Sequence, residues 1–430
     1  MQSGGDSVRR NFGWMLAGNL VYAACQWGFL VVLSKLGNPQ MVGRFVFGLA
    51  VTAPIVLFTN LSLRQILATD VASRYRFGHY IALRLAGSGL AATVIAVVVA
   101  VAGFGSGAGI AVLLVGLAKL FESGSDIIYG WLQSRERMSR IGRSLIYRGT
   151  LSVIALALGT GLTGRLEGGL SALALAWLAV LLVHDLPAAG RACSAPAGIH
   201  VLRPIWDGGA LVALTGLALP LGLSSLVVTL TAQMPRYFVK SWLGEYELGL
   251  FGAMAYISTA GVGVVIALGQ AASPRIARLH LDGEPRGLYR LLGRLLLMPL
   301  ALGTGGIVAA WLLGRELLTV LYREEYAERP EVFLWLMIGA AFLYLHSFLN
   351  YPLIAFRLMR LKLVVELCGG VLLMLLLFRL VPDDGLVGAA MAMLATSAAI
   401  AAVKGLAVWR GIAQTGKTGP RRSPGDVAEW

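Results

Sequence analysis

The chain has 430 residues, of which 57% are hydrophobic and only 13% carry a charge. A water-soluble domain carries roughly 25% charged residues, so a soluble globular fold is excluded. The mean hydropathy of +0.75 indicates instead that lipid is the solvent for most of the surface.

Apolar runs recur along the whole chain and are separated by short polar breaks. Roughly 20 apolar residues in a helix cross the hydrocarbon core of a bilayer. The runs therefore predict an all-α polytopic membrane protein with about 12 transmembrane helices. The predicted spans are residues 12–34, 41–63, 80–103, 108–131, 142–164, 168–188, 209–234, 247–270, 288–313, 332–352, 362–381 and 385–409.

Basic residues are distributed unevenly between the two sides of the predicted membrane. With a cytoplasmic N-terminus, 26 of the 36 Lys and Arg residues fall in cytoplasmic segments, nine fall in external segments, and Lys119 lies within a span. Cytoplasmic loops are enriched in Lys and Arg, so both termini are predicted to be cytoplasmic. This distribution accounts for the net charge of +14. Membrane lipids are therefore the expected partners, and nucleic acid is not.

Two segments half a chain apart, residues 33–65 and 239–270, resemble each other. Leu36-Gly37 aligns with Leu243-Gly244, and Gly43 aligns with Gly249 across a one-residue gap. The separation corresponds to six spans, which predicts two lobes in the same orientation. The predicted domains are an N-terminal six-helix lobe (1–190), a cytoplasmic linker (191–208), a C-terminal six-helix lobe (209–410) and a disordered cytoplasmic tail (411–430).

The first 80 residues contain a spaced set of motifs. The set comprises Asn11-Phe12-Gly13-Trp14, Gly18-Asn19, Gln26, Leu36-Gly37 and Gly43-Arg44-Phe45, followed by the run NLSLRQILATD at residues 60–70. This opening resembles that of O-antigen-type polysaccharide flippases, a branch of the multidrug/oligosaccharidyl-lipid/polysaccharide exporter superfamily.

The resemblance implies a V-shaped fold of six plus six helices around a central cavity in a bacterial inner membrane. It implies movement of an undecaprenyl-diphosphate-linked oligosaccharide from the inner to the outer leaflet, for cell-surface polysaccharide biosynthesis. Neither covalent chemistry nor a cofactor is expected. Polysaccharide polymerases and glycosyltransferases of the same pathway are the expected protein partners.

The fourth predicted span has charged and polar side chains at spacings of three and four residues, which place them on one helix face. The residues are Lys119, Glu122, Asp126, Tyr129 and Gln133. Charges inside a bilayer usually face a cavity and have a function. One hypothesis is that Lys119 attracts the cargo diphosphate and that Glu122 or Asp126 exchanges a coupling ion. The alternative is a structural salt bridge between Lys119 and Glu122.

Further candidate substrate-binding residues lie in the first two spans. Asn19, Tyr22 and Gln26 share a helix face suited to sugar hydroxyls, although interhelical hydrogen bonding explains them equally well. Arg64 is predicted either to line the inner gate, where it would contact the cargo phosphate, or to anchor its helix at the membrane interface. Arg44 and Lys35 complete the basic candidates. Glu366 and Lys404, near predicted cytoplasmic ends, are expected to be interfacial.

Three other functions compete with a flippase. A multidrug and toxin extruder of the same fold would use cavity carboxylates, which Glu122 and Asp126 supply, but it does not explain Lys119. A membrane glycosyltransferase or polymerase would show an acidic motif or a large external loop, and the sequence has neither a P-loop nor a metal-ligand cluster. The third alternative is a channel. The two-lobed repeat favours a transporter that works by alternating access over a channel.

Overall fold

The computed structural model describes residues 3–70, 74–192 and 202–415, including all side chains in these ranges except those of residues 3–10 and 12. The described residues form an all-α structure. In chain order the helices are α1 (Ser3–Leu36), α2 (Pro39–Thr59), α3 (Leu63–Thr69), α4 (Phe77–Val101), α5 (Ser106–Ser134), α6 (Met138–Thr163), α7 (Leu166–Val180), α8 (Leu186–Gly190), α9 (Gly208–Leu243), α10 (Glu245–Thr259), α11 (Val262–Leu281), α12 (Pro285–Leu321), α13 (Pro330–Ala355) and α14 (Met359–Thr415). A π-helical turn, Leu181–Asp185, joins α7 to α8, and a 3-10 turn, Glu324–Ala327, precedes α13.

Eleven helical segments of the described chain are long and apolar enough to cross a membrane. The expected all-α polytopic fold is therefore confirmed. The longest segment, α14, has 57 residues and would be roughly 85 Å long if straight, far more than one crossing needs. It consists of two helices that meet at Gly385, whose φ of 59° and ψ of −132° are not helical. This break separates the last two predicted spans.

The helices leave large apolar side chains on the outside of the protein. Examples that are more than 70% exposed are Val101, Leu162, Val183, Val212 and Val320. Apolar surface on this scale needs a lipid solvent. The chain is a multi-pass membrane protein.

Helix boundaries follow from local sequence signals. Asn38 caps α2 by accepting a hydrogen bond from the Met41 amide at 3.0 Å, and Pro39 occupies the first turn, where its missing N–H is not needed. Asp207 caps α9 through the amides of Gly209 and Ala210. Helices α12 and α13 likewise begin with a proline. Such signals are local and therefore readable from the sequence.

The chain divides into two compact units, residues 1–240 with 244–249 and residues 241–243 with 250–430. The first unit has a buried apolar core that includes Leu63, Leu132, Ile141 and Leu214. Helices α1 and α6 cross so closely there that a Cβ on Gly18 would lie 2.6 Å from the Gly142 carbonyl oxygen.

The core of the second unit has its own buried side chains, which include Val265, Ile276, Leu288, Phe348 and Leu353. The unit boundary lies later in the chain than the predicted linker, because Leu214 and Ala218 of α9 are part of the core of the first unit. The two predicted lobes stay a prediction. Cys193, half of the predicted linker (residues 193–201) and residues 416–430 of the predicted tail lie outside the described residues.

Candidate functional site

The first unit contains a cavity of about 580 Å³. Its wall comes from α1, α2, α3, α5 and α6, with Ser225 of α9. Six of the nine residues that the sequence analysis selected line this cavity, namely Asn19, Tyr22, Arg64, Lys119, Glu122 and Asp126. The shared helix face of α5 therefore supplies three of the five charged residues in the cavity wall, namely Lys119, Glu122 and Asp126.

Lys119 and Glu122 form an ion pair on one turn of α5. The Lys119 Nζ lies 2.7 Å from Glu122 Oε2, and the Tyr22 hydroxyl donates to Glu122 Oε1 at 2.5 Å. The Lys119 ammonium also lies 5.4 Å from the ring centroid of Trp177. The structural salt bridge considered from the sequence is thus present. Because both side chains keep some exposure to the cavity, an anionic ligand has access to Lys119.

Asp126, one turn further along α5, is shared by two arginines. Arg84 Nη2 lies 3.1 Å from Asp126 Oδ2, and Arg64 Nη1 lies 3.4 Å from Asp126 Oδ1. Arg84 also donates to the Ser123 hydroxyl at 3.0 Å, and this hydroxyl donates to the Asn60 side-chain oxygen. Asp126 is therefore held by two cations, and its charge is fully compensated.

A break between α2 and α3 brings further polar groups to the cavity. Leu61 and Ser62 have φ values of 52° and 50°, a left-handed conformation that is unfavourable for residues other than glycine. The hydropathy pattern predicts an uninterrupted span from residue 41 to residue 63. The break turns the chain so that Asn60, Ser62 and Arg64 all line the cavity. Strained backbone of this kind is typical of functional sites.

Behind the cavity lies a further ion pair, between Arg148 of α6 and Asp185 of the π-helical turn. The two side chains are 1% and 0% exposed, and Arg148 Nη2 lies 3.1 Å from Asp185 Oδ2. The Ser144 hydroxyl donates to Asp185 Oδ1 at 2.5 Å and lies 2.7 Å from the Tyr129 hydroxyl. Tyr129 and Arg148 both contribute to the cavity wall. π-Helical turns often occur at functional sites, and this one includes a buried acid.

Sequence reasoning missed three charged residues of this network. Arg84 and Arg148 were counted among the cytoplasmic basic residues, yet both are buried within helices. Asp185 was not selected at all. The signal was their position inside predicted spans, because a charge within a span is expensive and needs a buried partner.

The remaining predicted residues lie elsewhere. Gln26 lines a separate narrow cleft beside Lys119 and Trp177. Arg44 Nε forms a 2.7 Å ion pair with Glu245 Oε2, and Lys35 is exposed; neither residue lines the cavity. Within the described ranges, no group of three or more His, Cys, Asp or Glu side chains is placed to hold a metal ion.

The balance of charges in the cavity wall favours an anionic ligand. The wall has three basic residues, Arg64, Lys119 and Arg148, and two acidic ones, Glu122 and Asp126. Each of the two acids has a basic partner of its own. Neutral hydrogen-bonding side chains, including Asn19, Asn60 and Gln65, complete the polar part of the wall.

Comparison with known proteins gives one relative in sequence and several in structure. The chain is 26% identical over 382 residues to the capsular polysaccharide biosynthesis protein CapF of Staphylococcus aureus, covering 89% of this chain and 94% of that protein. It superimposes with a TM-score of 0.73 on a multidrug resistance MATE family transporter of the MOP superfamily, at 12% identity, covering 94% of this chain and 99% of that chain. The chain has the same overall fold as this protein. No protein-family model matches it.

A second structural relative of this chain is the lipid II flippase MurJ. The TM-score is 0.72 at 10% identity, and the match covers 94% of this chain and 90% of that chain. At such identities the likeness establishes the fold alone. Solved proteins with this fold thus include both a drug transporter and a lipid flippase, so the fold by itself assigns no function to this chain.

The second unit contains a separate buried charge cluster. Lys404 is 0% exposed, and its Nζ lies 2.5 Å from Glu366 Oε1 and 2.8 Å from Asn350 Oδ1. The sequence predicts that Lys404 and Glu366 lie at the membrane interface. That expectation is wrong for Lys404, because the two halves of α14 and helix α13 enclose its side chain.

Proposed function

We propose that this protein moves an undecaprenyl-diphosphate-linked oligosaccharide from the inner to the outer leaflet of a bacterial inner membrane by alternating access. The observation that supports this most directly is the combination of basic side chains and neutral hydrogen-bonding side chains in one intramembrane cavity. The diphosphate is attracted by Lys119 and Arg64, and Asn19 and Tyr22 bind the sugar hydroxyls.

The charge pattern supports an anionic cargo over a cationic one. Charged groups inside a membrane are stabilised by their partners, and an anion in the cavity replaces Glu122 as the partner of Lys119. The Arg64 guanidinium lies 3.4 Å from Asp126 Oδ1 and 3.4 Å from Gln133 Oε1, and both distances are long for a hydrogen bond. Because these contacts are weak, Arg64 reorients toward a ligand at a small cost in free energy.

The sequence relative supports the same class of cargo. CapF of Staphylococcus aureus is named for capsular polysaccharide biosynthesis, and MurJ is a lipid II flippase. On this proposal both termini are cytoplasmic, and the protein works beside the glycosyltransferases and the polymerase that make and extend its cargo.

The runner-up function is a multidrug extruder, which several of the structural neighbours represent. The observation in its favour is the presence of Glu122 and Asp126 in the cavity wall. An organic cation would have to displace Lys119 from Glu122, or two arginines from Asp126. The existing pairs make the cavity a poor receptor for a cation.

Transfer of a fluorescent undecaprenyl-diphosphate oligosaccharide between the leaflets of proteoliposomes tests the proposal. Wild type should transfer the lipid, Lys119→Arg should keep part of the rate, and Lys119→Ala should lose most of it. Arg379→Ala is the matched control, because Arg379 is an exposed basic residue that pairs with Asp383 outside the cavity. Export of an organic cation by folded wild type without lipid transfer would overturn the proposal in favour of the extruder.

A further inference from the structure

Four arginines lie close together at one end of the first unit, outside the cavity. They are Arg137, Arg140 and Arg143 at the start of α6 and Arg191 just after α8, and the positive charges of the other three act on Arg140. These four residues are the arginine cluster. On the predicted topology the cluster lies on the cytoplasmic side of the membrane.

No acidic side chain compensates the arginine cluster within the described part of the chain. None of its four members forms an ion pair there, and the neighbouring Glu136 makes no ion pair with them either. Like charges at short range repel one another, so their convergence carries a cost in free energy that a bound anion removes. A topology signal requires basic residues in this segment, but it does not require them to converge.

Hydrogen bonds hold two members of the arginine cluster in place. Arg140 Nη1 donates to the Ala188 carbonyl at 2.8 Å, and Arg191 Nε donates to the Pro187 carbonyl at 3.2 Å. Each guanidinium has five N–H groups, so these contacts leave donors for a ligand. The other two members donate no hydrogen bond to a described residue. The cluster thus presents several guanidinium forks, whose geometry matches the oxygens of a phosphate group.

Two tryptophans indicate that the cluster lies at the level of the lipid headgroups. The guanidinium carbon of Arg143 lies 4.9 Å from the centroid of the Trp14 ring. At the end of α5, the guanidinium carbon of Arg135 lies 3.8 Å from the centroid of the Trp131 ring. Tryptophan is enriched where the hydrocarbon of a bilayer meets water, so both rings fit this boundary.

The exposed face of α6 continues from Arg143 as a column of apolar side chains. Tyr147, Leu151, Ile154 and Leu158 are each 45% to 57% exposed. They follow Arg143 at spacings of four, four, three and four residues, so all of them share one helix face. A lipid whose headgroup contacts Arg143 can therefore lay an acyl chain along this column.

We propose that the arginine cluster binds the phosphate headgroup of an anionic glycerophospholipid of the cytoplasmic leaflet, with one acyl chain along the exposed face of α6. The site is separate from the cavity, whose wall contains none of the four arginines. A zwitterionic lipid brings its own cation among the arginines, so phosphatidylglycerol binds in preference to phosphatidylcholine. The inference depends on the predicted orientation and not on the cargo of the cavity.

The phosphate forks also fit the diphosphate of a polyprenyl lipid, which has the same chemistry. The phospholipid is favoured as the occupant because the column on α6 faces bulk lipid, where phospholipid is in large excess. A test therefore has to compare the two lipids directly.

Native mass spectrometry of the full chain in detergent counts the lipids that stay bound. When phosphatidylglycerol and phosphatidylcholine with the same acyl chains are offered together, wild type should retain phosphatidylglycerol. Arg137→Gln combined with Arg143→Gln should weaken its binding roughly thirtyfold, since each basic residue near an anionic membrane surface contributes about a fivefold factor. Arg143→Lys keeps the charge but loses the fork, so its loss should be smaller.

Arg360→Gln combined with Arg410→Gln is the matched control. Both arginines are exposed and predicted to be cytoplasmic, so this variant removes two charges from elsewhere on the same side. It should retain phosphatidylglycerol as wild type does. A phosphatidylglycerol with a photoreactive acyl chain should cross-link to residues 147–158 in wild type and in the control, but not in the cluster variant.

The possible results discriminate between a phospholipid site and its alternatives. Equal retention of the two phospholipids by wild type overturns the inference, as does unchanged binding in the cluster variant or an equal loss in the control. If undecaprenyl diphosphate displaces phosphatidylglycerol at a lower concentration and needs the same arginines, the site binds cargo and the phospholipid assignment is wrong. If the cluster variant does not fold, Arg143→Lys and the lipid preference of wild type still decide. Lipid transfer in proteoliposomes tests the proposed function separately.

Discussion

Gly43 and Gly249, which the sequence repeat aligns with each other, are also in contact with each other. A Cβ on Gly43 would lie 3.1 Å from the Gly249 amide nitrogen, and a Cβ on Gly249 would lie 3.0 Å from the Gly43 amide nitrogen. Each added Cβ would also overlap the carbonyl oxygen four residues before the other glycine, at Glu245 and at Pro39. The contact is therefore symmetric, with equivalent atoms of the two helix starts facing each other.

Replacing either glycine should destabilise the protein. Gly249→Ala forces a methyl group into backbone atoms that cannot rotate away, and overpacking of this kind costs about 1–3 kcal/mol. Thermal unfolding in detergent should show a lower midpoint for Gly249→Ala. Gly89→Ala is the control: an added Cβ there meets nothing within 4 Å, and alanine favours the helix. Equal midpoints for the two variants would contradict the close contact.

The ion pair beside this contact, between Arg44 and Glu245, should contribute modestly to stability. Both side chains are partly exposed, so a double-mutant cycle with Arg44→Gln and Glu245→Gln should give a coupling of about 0.5–1 kcal/mol. Lys240 lies 3.7 Å from the same carboxylate and limits the loss in Arg44→Gln. Zero coupling would contradict a stabilising role for this ion pair.

Asp126→Asn should be far more destabilising than Glu122→Gln. Loss of the Asp126 charge leaves the Arg84 guanidinium, 3% exposed, without an anion, and such a loss costs about 3–5 kcal/mol. Lys119 retains access to the cavity when Glu122 is neutralised, so that variant should lose only about 1 kcal/mol. Thermal unfolding midpoints of the two variants test the order. The reverse order would show that Arg84 has another partner.

The effects of substitutions in the Lys404 cluster on the free energy of unfolding should depend strongly on one another. Glu366→Gln leaves a buried ammonium without an anion and should cost about 3–5 kcal/mol. Adding Lys404→Met should recover part of that loss, because methionine fills the space without a charge. The measurement is again thermal unfolding. A double variant less stable than Glu366→Gln alone would mean that the ammonium is stabilised mainly by Asn350.

The predicted topology is testable with a membrane-impermeant thiol reagent. In a background without the native cysteines, Glu328→Cys should react in intact cells, since its segment is predicted to be external. Arg360→Cys should react only after permeabilisation. Both side chains are exposed, so accessibility within the protein does not differ between them. The opposite pattern would invert the orientation predicted from the basic residues.

The sequence determined the membrane fold, most helix positions and one face of the site. Hydropathy and capping are properties of neighbouring residues, and side chains three or four apart share a helix face whatever the helix packs against. For that reason Lys119, Glu122 and Asp126 were found together, and the salt bridge between the first two was foreseen as an alternative.

Only the tertiary structure decided which partner each charge has. Asp126 pairs with Arg84 because α4 lies beside α5, and Arg148 meets Asp185 because a π-helical turn directs that acid inward. Arg44, a candidate from its motif, pairs with Glu245 some 200 residues later. Burial makes such pairing obligatory inside a membrane, but helix packing chooses the partner, and packing depends on contacts far apart in the chain.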